Sequence, residues 1–145
     1  EIPLSLIANK LTLSEVSDFS LGSKADKISD GKLILLADNG FPFDGNVQLY
    51  LLNNNNQIID SILPQQYLAP ASLDIKDKVA QKKLTTFTLN YNPQRIQNLL
   101  NTKAIIVKTN LSTTGSKYIK IYRHYAIDID LKGDFEYTID TRKKQ

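Results

Sequence analysis

The amino-acid sequence predicts an all-β chain, an antiparallel β-sandwich with one short helix. Three features point there. Near the C-terminus Ile127, Ile129 and Leu131 alternate with Asp128, Asp130 and Lys132, which is the two-residue period of a strand with one buried and one wet face. Short segments rich in β-branched, aromatic and other apolar residues recur along the chain between turn formers. Helical spacing of apolar residues stands out at one place only, after Asn92.

From the N-terminus, the first 26 residues hold short apolar runs (Ile2–Ile7, Leu11–Leu13, Phe19–Leu21) with no glycine before Gly22 to mark a turn. They are expected to be edge strands or a strap across the sandwich. Strands are expected at Lys32–Asp38, Asn46–Leu52 and Gln57–Leu63. Asn53-Asn54-Asn55-Asn56 falls between two of them and reads as a hairpin loop, because asparagine tolerates positive φ and forms Asx turns. Pro64 and Pro70 bracket an irregular connection, and Asp74 to Lys82 shows no period and is assigned no element. A strand over Lys83–Asn90 precedes the helix. Asn92 can cap it, Pro93 suits its first turn, and Ile96, Leu99 and Leu100 form one apolar edge, so a helix is expected over Pro93–Leu100. Further strands are expected at Lys103–Thr109 and Tyr118–His124. The last two, Ile127–Leu131 and Phe135–Ile139, are expected to form a hairpin about Lys132-Gly133-Asp134. That makes eight strands in one domain over residues 1–140, followed by a basic tail at 141–145.

Composition excludes several chemistries. The 145 residues contain no Cys, which removes a disulfide scaffold, a thiolate zinc site, an iron–sulfur centre and a cysteine nucleophile. Lys and Arg number 18 against 15 Asp and Glu, a net charge of +3, but Arg142, Lys143 and Lys144 belong to the tail, and 18 less 3 leaves the body balanced at 15 against 15. No nucleic-acid partner is therefore expected, since such proteins concentrate positive charge to neutralise phosphates. The longest apolar run is Leu33-Ile34-Leu35-Leu36-Ala37, far short of the roughly 20 residues that span a bilayer. The chain opens Glu1-Ile2-Pro3, with neither an initiator Met nor the lipid-bearing Cys of a mature lipoprotein. The expectation is a C-terminal portion of a processed polypeptide whose anchor lies upstream.

Candidate chemistry is sparse. His124 is the sole histidine and any catalytic base would use it, but no G-x-S-x-G or comparable motif supplies a nucleophile, and the plainer reading is a strand residue beside Lys120 and Tyr122. Asp128, Asp130 and Asp134 are a dense set of hard oxygen ligands that could hold calcium, although the EF-hand spacing is absent and outward carboxylates also serve solubility. No other cofactor is expected. Basic and aromatic residues interleave from Lys117 to Tyr125, as on single-strand nucleic-acid platforms. The same pattern suits an edge strand, and the neutral body favours that reading. Tyr118, Tyr122 and Tyr125 could form an aromatic glycan platform or the amphipathic rim of an ordinary sandwich. No catalytic residue is assigned.

The most distinctive stretch is Asp38-Asn39-Gly40-Phe41-Pro42-Phe43-Asp44-Gly45, leading into Val47-Gln48-Leu49-Tyr50-Leu51-Leu52, the asparagine loop and Gln57–Leu63. With Glu1-Ile2-Pro3-Leu4, Asp18-Phe19-Ser20-Leu21, Asn110-Leu111-Ser112-Thr113-Thr114 and Tyr118–Leu131, it resembles a domain near the C-terminus of exported lipoproteins of Bacteroidota. The likeness covers most of the chain, through turn and strand signatures. It implies a β-sandwich exported to the periplasm or cell surface, in association with the outer membrane, and it carries over no catalytic residue. Asp60-Ser61-Ile62 is similar to the Asp-Ser/Thr-aliphatic pattern that these bacteria O-glycosylate, with Ser61 as acceptor. The function expected is a non-enzymatic structural or interaction module of a cell-envelope assembly, with envelope proteins or other domains of the same polypeptide as partners. The alternative is a glycan-binding module, and a hydrolase using His124 comes third.

Overall fold

In a computed structural model that describes residues 2–22, 27–63, 66–115 and 117–137, the chain forms twelve strands and one helix. In order they are β1 (Leu4–Leu6), β2 (Leu11–Asp18), β3 (Ile28–Asn39), β4 (Asp44–Leu52), β5 (Ile58–Ser61), β6 (Gln66–Leu68), β7 (Ser72–Leu73), β8 (Val79–Gln81), β9 (Lys83–Tyr91), α1 (Pro93–Leu100), β10 (Ala104–Ser112), β11 (Ile119–Ile121) and β12 (Ile127–Tyr137). One sheet runs β2-β10-β4-β5, with β6 on the same edge of β4 as β5, further along it. The other runs β12-β3-β9, and β1–β11 and β7–β8 form two small ribbons. All pairings are antiparallel. The fold is an all-β sandwich with one short helix.

The two inner faces follow from strand parity. Leu33, Leu35 and Ala37 of β3 and Phe87 and Tyr91 of β9 meet Val47, Leu49 and Leu51 of β4 and Ile105 and Leu111 of β10 in one buried cluster. Burying a Leu or Phe side chain is worth about 1.5–3 kcal/mol, so this alternation selects the register of both central strands. The helix adds Ile96 and Leu99 from one face and packs on β3 and β9.

Local chemistry forms the connections as the sequence predicts. Asn92 Oδ1 accepts the Arg95 N–H at 2.9 Å and Pro93 occupies the first turn, so α1 begins where expected. In the asparagine loop, Asn53 Oδ1 accepts the N–H groups of Asn55 and Gln57 at 2.9 and 3.0 Å, and Asn56 takes φ of 58°. The first two N-terminal runs become β1 and the edge strand β2, whereas Phe19–Leu21 forms no strand and Phe19 N–H donates to the Lys103 carbonyl at 2.9 Å. The unassigned stretch holds a turn in which Asp74 Oδ1 accepts from Lys76 and Lys78 N–H, and the short β7–β8 ribbon spans it. Those N–H groups hold the exposed Asp74 carboxyl below its ordinary pKa.

Two expectations fail. The C-terminal hairpin does not form: β12 continues through Lys132-Gly133-Asp134 without turning, pairing Leu131 with Leu35, Gly133 with Leu33 and Phe135 with Gly31. Ile139 and Asp140, the far end of the expected hairpin, lie outside the described residues, as does the basic tail at 141–145. The reason is packing. Cβ atoms added at Gly31 and Gly133 would stand 2.3 and 2.2 Å from ring carbons of Phe135, so the ring lies over both glycines and covers the backbone they expose. Gly133 is thus a close-approach site inside a strand. The expected strand Tyr118–His124 also shortens to Ile119–Ile121, because the chain turns at Tyr122, where Tyr125 N–H donates to the Tyr122 carbonyl at 3.0 Å. That turn buries both tyrosines.

Candidate functional site

The sheets differ in width, and the difference shapes the site. Both β2 and β12 are edge strands on the same side of the sandwich, and β2 is exposed along its whole length. Its inward residues follow from the pairing with β10, which sets Leu13 beside Thr109, Glu15 beside Val107 and Ser17 beside Ile105. No strand of the second sheet lies over them among the described residues. Between β2, β10 and β12 runs a groove of about 420 Å³, with Leu13, Val107, Ile127 and Ile129 on its walls and Phe41 and Tyr125 at one end. Glu15 and Ser17 line its outer side.

The turn after β3 positions Phe41. Asn39 is fully buried, donates through Nδ2 to the carbonyls of Phe43 and Ala69 at 3.0 and 2.9 Å, and accepts the Phe41 N–H on Oδ1 at 2.9 Å. The Phe41 ring stacks on Phe43 with centroids 6.1 Å apart and meets Tyr125 edge-on at 6.2 Å. Tyr125 is fixed from its other end, since its hydroxyl accepts the Val79 N–H at 2.9 Å.

The tyrosines singled out from sequence are not brought together as one platform. Tyr122 and Tyr125 pack 5.4 Å apart at 58° and are 8% and 9% exposed, whereas Tyr118 is 69% exposed. His124 sits in the turn, against Tyr125 at 5.0 Å and Tyr122 at 5.8 Å. Lys78 Nζ lies 4.9 Å over the Tyr122 ring. Asp128, Asp130 and Asp134 all lie on the outer face of β12. Asp128 is ion-paired with Lys82, and a strand rising about 3.4 Å per residue carries Asp134 some 13 Å from Asp130. The described residues contain no group of three His, Cys, Asp or Glu placed to hold a metal ion. The straight course of β12 is the physical reason.

Ser61 ends β5 half-buried, and its hydroxyl accepts Gln48 Nε2–H at 3.0 Å. Asp60 ties the strand to α1, accepting from Arg95 Nη2 at 3.4 Å and Asn98 Nδ2 at 3.3 Å. Arg95 also donates to the Ser61 carbonyl at 3.0 Å and sits 5.5 Å over the Tyr91 ring. The Tyr91 hydroxyl has no hydrogen-bond partner among the described residues, although the residue is 1% exposed. Burial pushes its pKa above the ordinary tyrosine range. A raised pKa means stability present below pH ~10 and lost as pH climbs through the folded value. Tyr91→Phe is therefore expected to shift stability at neutral pH by less than ~1 kcal/mol and to lessen the loss above pH ~10. Thermal melts at the two pH values check this, and a loss beyond ~2 kcal/mol at neutral pH would mean the hydroxyl is bonded.

Sequence reasoning missed the groove. Leu13 and Val107 read only as members of apolar runs, and no local pattern marks where one sheet outruns the other.

Fold and site together define an all-β sandwich with one side open between two edge strands. No protein-family model matches the chain, and no curated protein matches it. Among solved structures it is similar to a protein described as "a putative secreted protein from Parabacteroides distasonis ATCC 8503", with a TM-score of 0.57 at 15% identity, over 91% of this chain and 40% of that one. The chain thus spans 40% of that protein's length, and at this identity the likeness shows the fold alone. A second likeness, to a chain in the structure of infectious bursal disease virus Gx strain, has a TM-score of 0.44 at 11% identity over 91% of this chain and 28% of that one, too low to bear on the argument. No helix among the described residues is long and apolar enough to cross a membrane.

Proposed function

We propose that the chain is a non-enzymatic structural or protein-interaction module of a cell-envelope assembly, exported to the periplasm or surface of a Bacteroidota-like cell and associated with its outer membrane. One observation carries the interaction part: among the described residues β2 and β12 both leave an edge open beside a groove with Leu13, Val107, Ile127 and Ile129 on its walls and Glu15, Ser17 and Thr109 among its polar lining. An unpaired ladder recruits other chains unless it is covered, shortened or charged, and β12 carries its charges on the outer face with none on the side of the groove. Export is supported by the lipoprotein-like turn and strand signatures and by the name of the Parabacteroides neighbour. Fold does not fix function, so the test is biochemical. Affinity capture of the tagged protein from native membranes, after in-cell crosslinking, is expected to recover envelope proteins in fixed proportion. Recovery of the protein alone overturns this reading.

A second reading, glycan binding, draws on the exposed Tyr118 ring and does without calcium, because β12 spaces Asp128, Asp130 and Asp134 too far apart to share one ion. A glycan array separates the two, and silence on every sugar removes the second. O-glycosylation of Ser61 requires its hydroxyl to release Gln48. Intact mass of protein from the native host decides it, an unmodified mass ruling it out.

A further inference from the structure

The chemistry of the partner can be read from the same two edges, and that chemistry rests on the interaction reading. The wider sheet ends in β2, whose inward Leu11 and Leu13 are only partly covered, at 36% and 38% exposure, while the narrower sheet ends in β12. β12 is paired along its length with β3 on one side and with no strand on the other among the described residues. An edge strand presents the N–H and C=O groups its neighbour does not use, here over Ile127–Tyr137. A strand added to β12 would lie in the plane of the narrower sheet, about 4.8 Å beyond β12, and directly over the inward face of β2. A strand added to β2 would only lengthen the overhang. The groove lies where the inward side chains of the first arrangement would point, with Leu13, Val107, Ile127 and Ile129 to receive them.

Charge limits the identity of the occupant. On its outer face β12 presents Asp128, Asp130, Asp134 and Glu136 with one cation of its own, Lys132; Lys82 pairs with Asp128 and Lys32 stands opposite Asp134, but Asp30 and Asp38 of β3 keep the face acidic. A neighbouring strand sets side chains directly opposite at about 5 Å, where opposite charges attract and like charges repel. Two copies of β12 paired antiparallel over their full length would place Asp128 against Glu136, Asp130 against Asp134 and Lys132 against Lys132. Every such pair is repulsive. The complementary strand carries Lys or Arg at its outward positions.

From this geometry we infer that the cleft between β2 and β12 is a strand-acceptor site: an extended segment of a partner polypeptide, apolar at alternate positions and basic between them, pairs with the free edge of β12 and fills the groove. This is recognition by β-augmentation, in which backbone pairing supplies affinity and the groove selects side chains.

The test uses the full chain and a labelled peptide of alternating Ile and Lys, long enough to cover most of β12. Comparison peptides are a block isomer of the same composition and an Ile/Glu alternation. Fluorescence anisotropy is expected to show the Ile/Lys peptide binding at least about tenfold more tightly than either. Hydrogen exchange should show new protection at β12 amides. Leu13→Gln, at a site 38% exposed, should weaken binding about tenfold while the melting temperature falls by only a few degrees. Equal binding of the block isomer, or protection confined to β2, overturns the site. Concentration-dependent dimerisation that protects β12 without peptide assigns the cleft to a second copy and overturns the partner chemistry. If no peptide binds while capture from membranes still finds partners, the strand-acceptor inference fails and the interaction reading survives.

Discussion

Asn39→Ala is expected to destabilise the protein by about 3 kcal/mol and to lower its melting temperature by roughly 10 °C. Asn39 ends β3, is fully buried, and makes three hydrogen bonds to backbone groups within the turn and at Ala69. Alanine leaves two carbonyls and one N–H without those partners, and each buried orphan costs about 1–3 kcal/mol. Relaxation and water entry recover part of that sum. The consequence reaches the groove, because the same turn holds Phe41 against Tyr125. Asn39→Asp should not rescue it, since a carboxylate keeps the acceptor but loses both donors and adds a buried charge. Thermal and denaturant unfolding decide the matter: a loss below ~1 kcal/mol would mean that the clamp contributes little beyond its burial.

Gly45→Ala is expected to cost about 2–3 kcal/mol, more than the same change at Gly133. Gly45 lies near the start of β4, paired with Leu111 of β10 on one side and Leu68 of β6 on the other. A Cβ there would stand 2.0 Å from the Asn110 carbonyl oxygen and 3.0 Å from its carbon. Those are backbone atoms of a central ladder, so relief requires the two strands to separate. At Gly133 the obstruction is the Phe135 ring, which can rotate aside and surrender only its cover of the two glycines. Urea unfolding of both variants gives the comparison. Equal losses would show that strand spacing is not what demands glycine at Gly45.

The helix and the asparagine loop were legible in the sequence because their causes are local: Asn92 caps its own helix and Asn53 its own turn, within three or four residues. A strand face was legible where alternation was long, as at Ile127, Ile129 and Leu131 of β12, and not in β3, whose Leu33-Ile34-Leu35-Leu36-Ala37 run is apolar on both sides. At Gly133 a local signal misled. Lys132-Gly133-Asp134 has hairpin composition, yet the parity of Ile127, Ile129, Leu131 and Phe135 runs through it unbroken, and the twelve-residue β3 is long enough to pair with both halves. The candidate site was the least legible part. Tyr118, Tyr122 and Tyr125 read as one possible aromatic platform, but the turn at Tyr122 packs Tyr122 against Tyr125 and buries both while Tyr118 stays exposed.

All-β character, the helix at Pro93–Leu100 and the buried side of Ile127–Leu131 were therefore in the residues themselves, because backbone preference and two-residue alternation act over a few positions. Whether a glycine turns or continues, and which edge is left open over the groove, depended on pairings such as Glu15 with Val107 and Gly133 with Leu33, about a hundred residues apart in the chain. Register between distant strands is set by the packing of whole sheets, and no local segment encodes it.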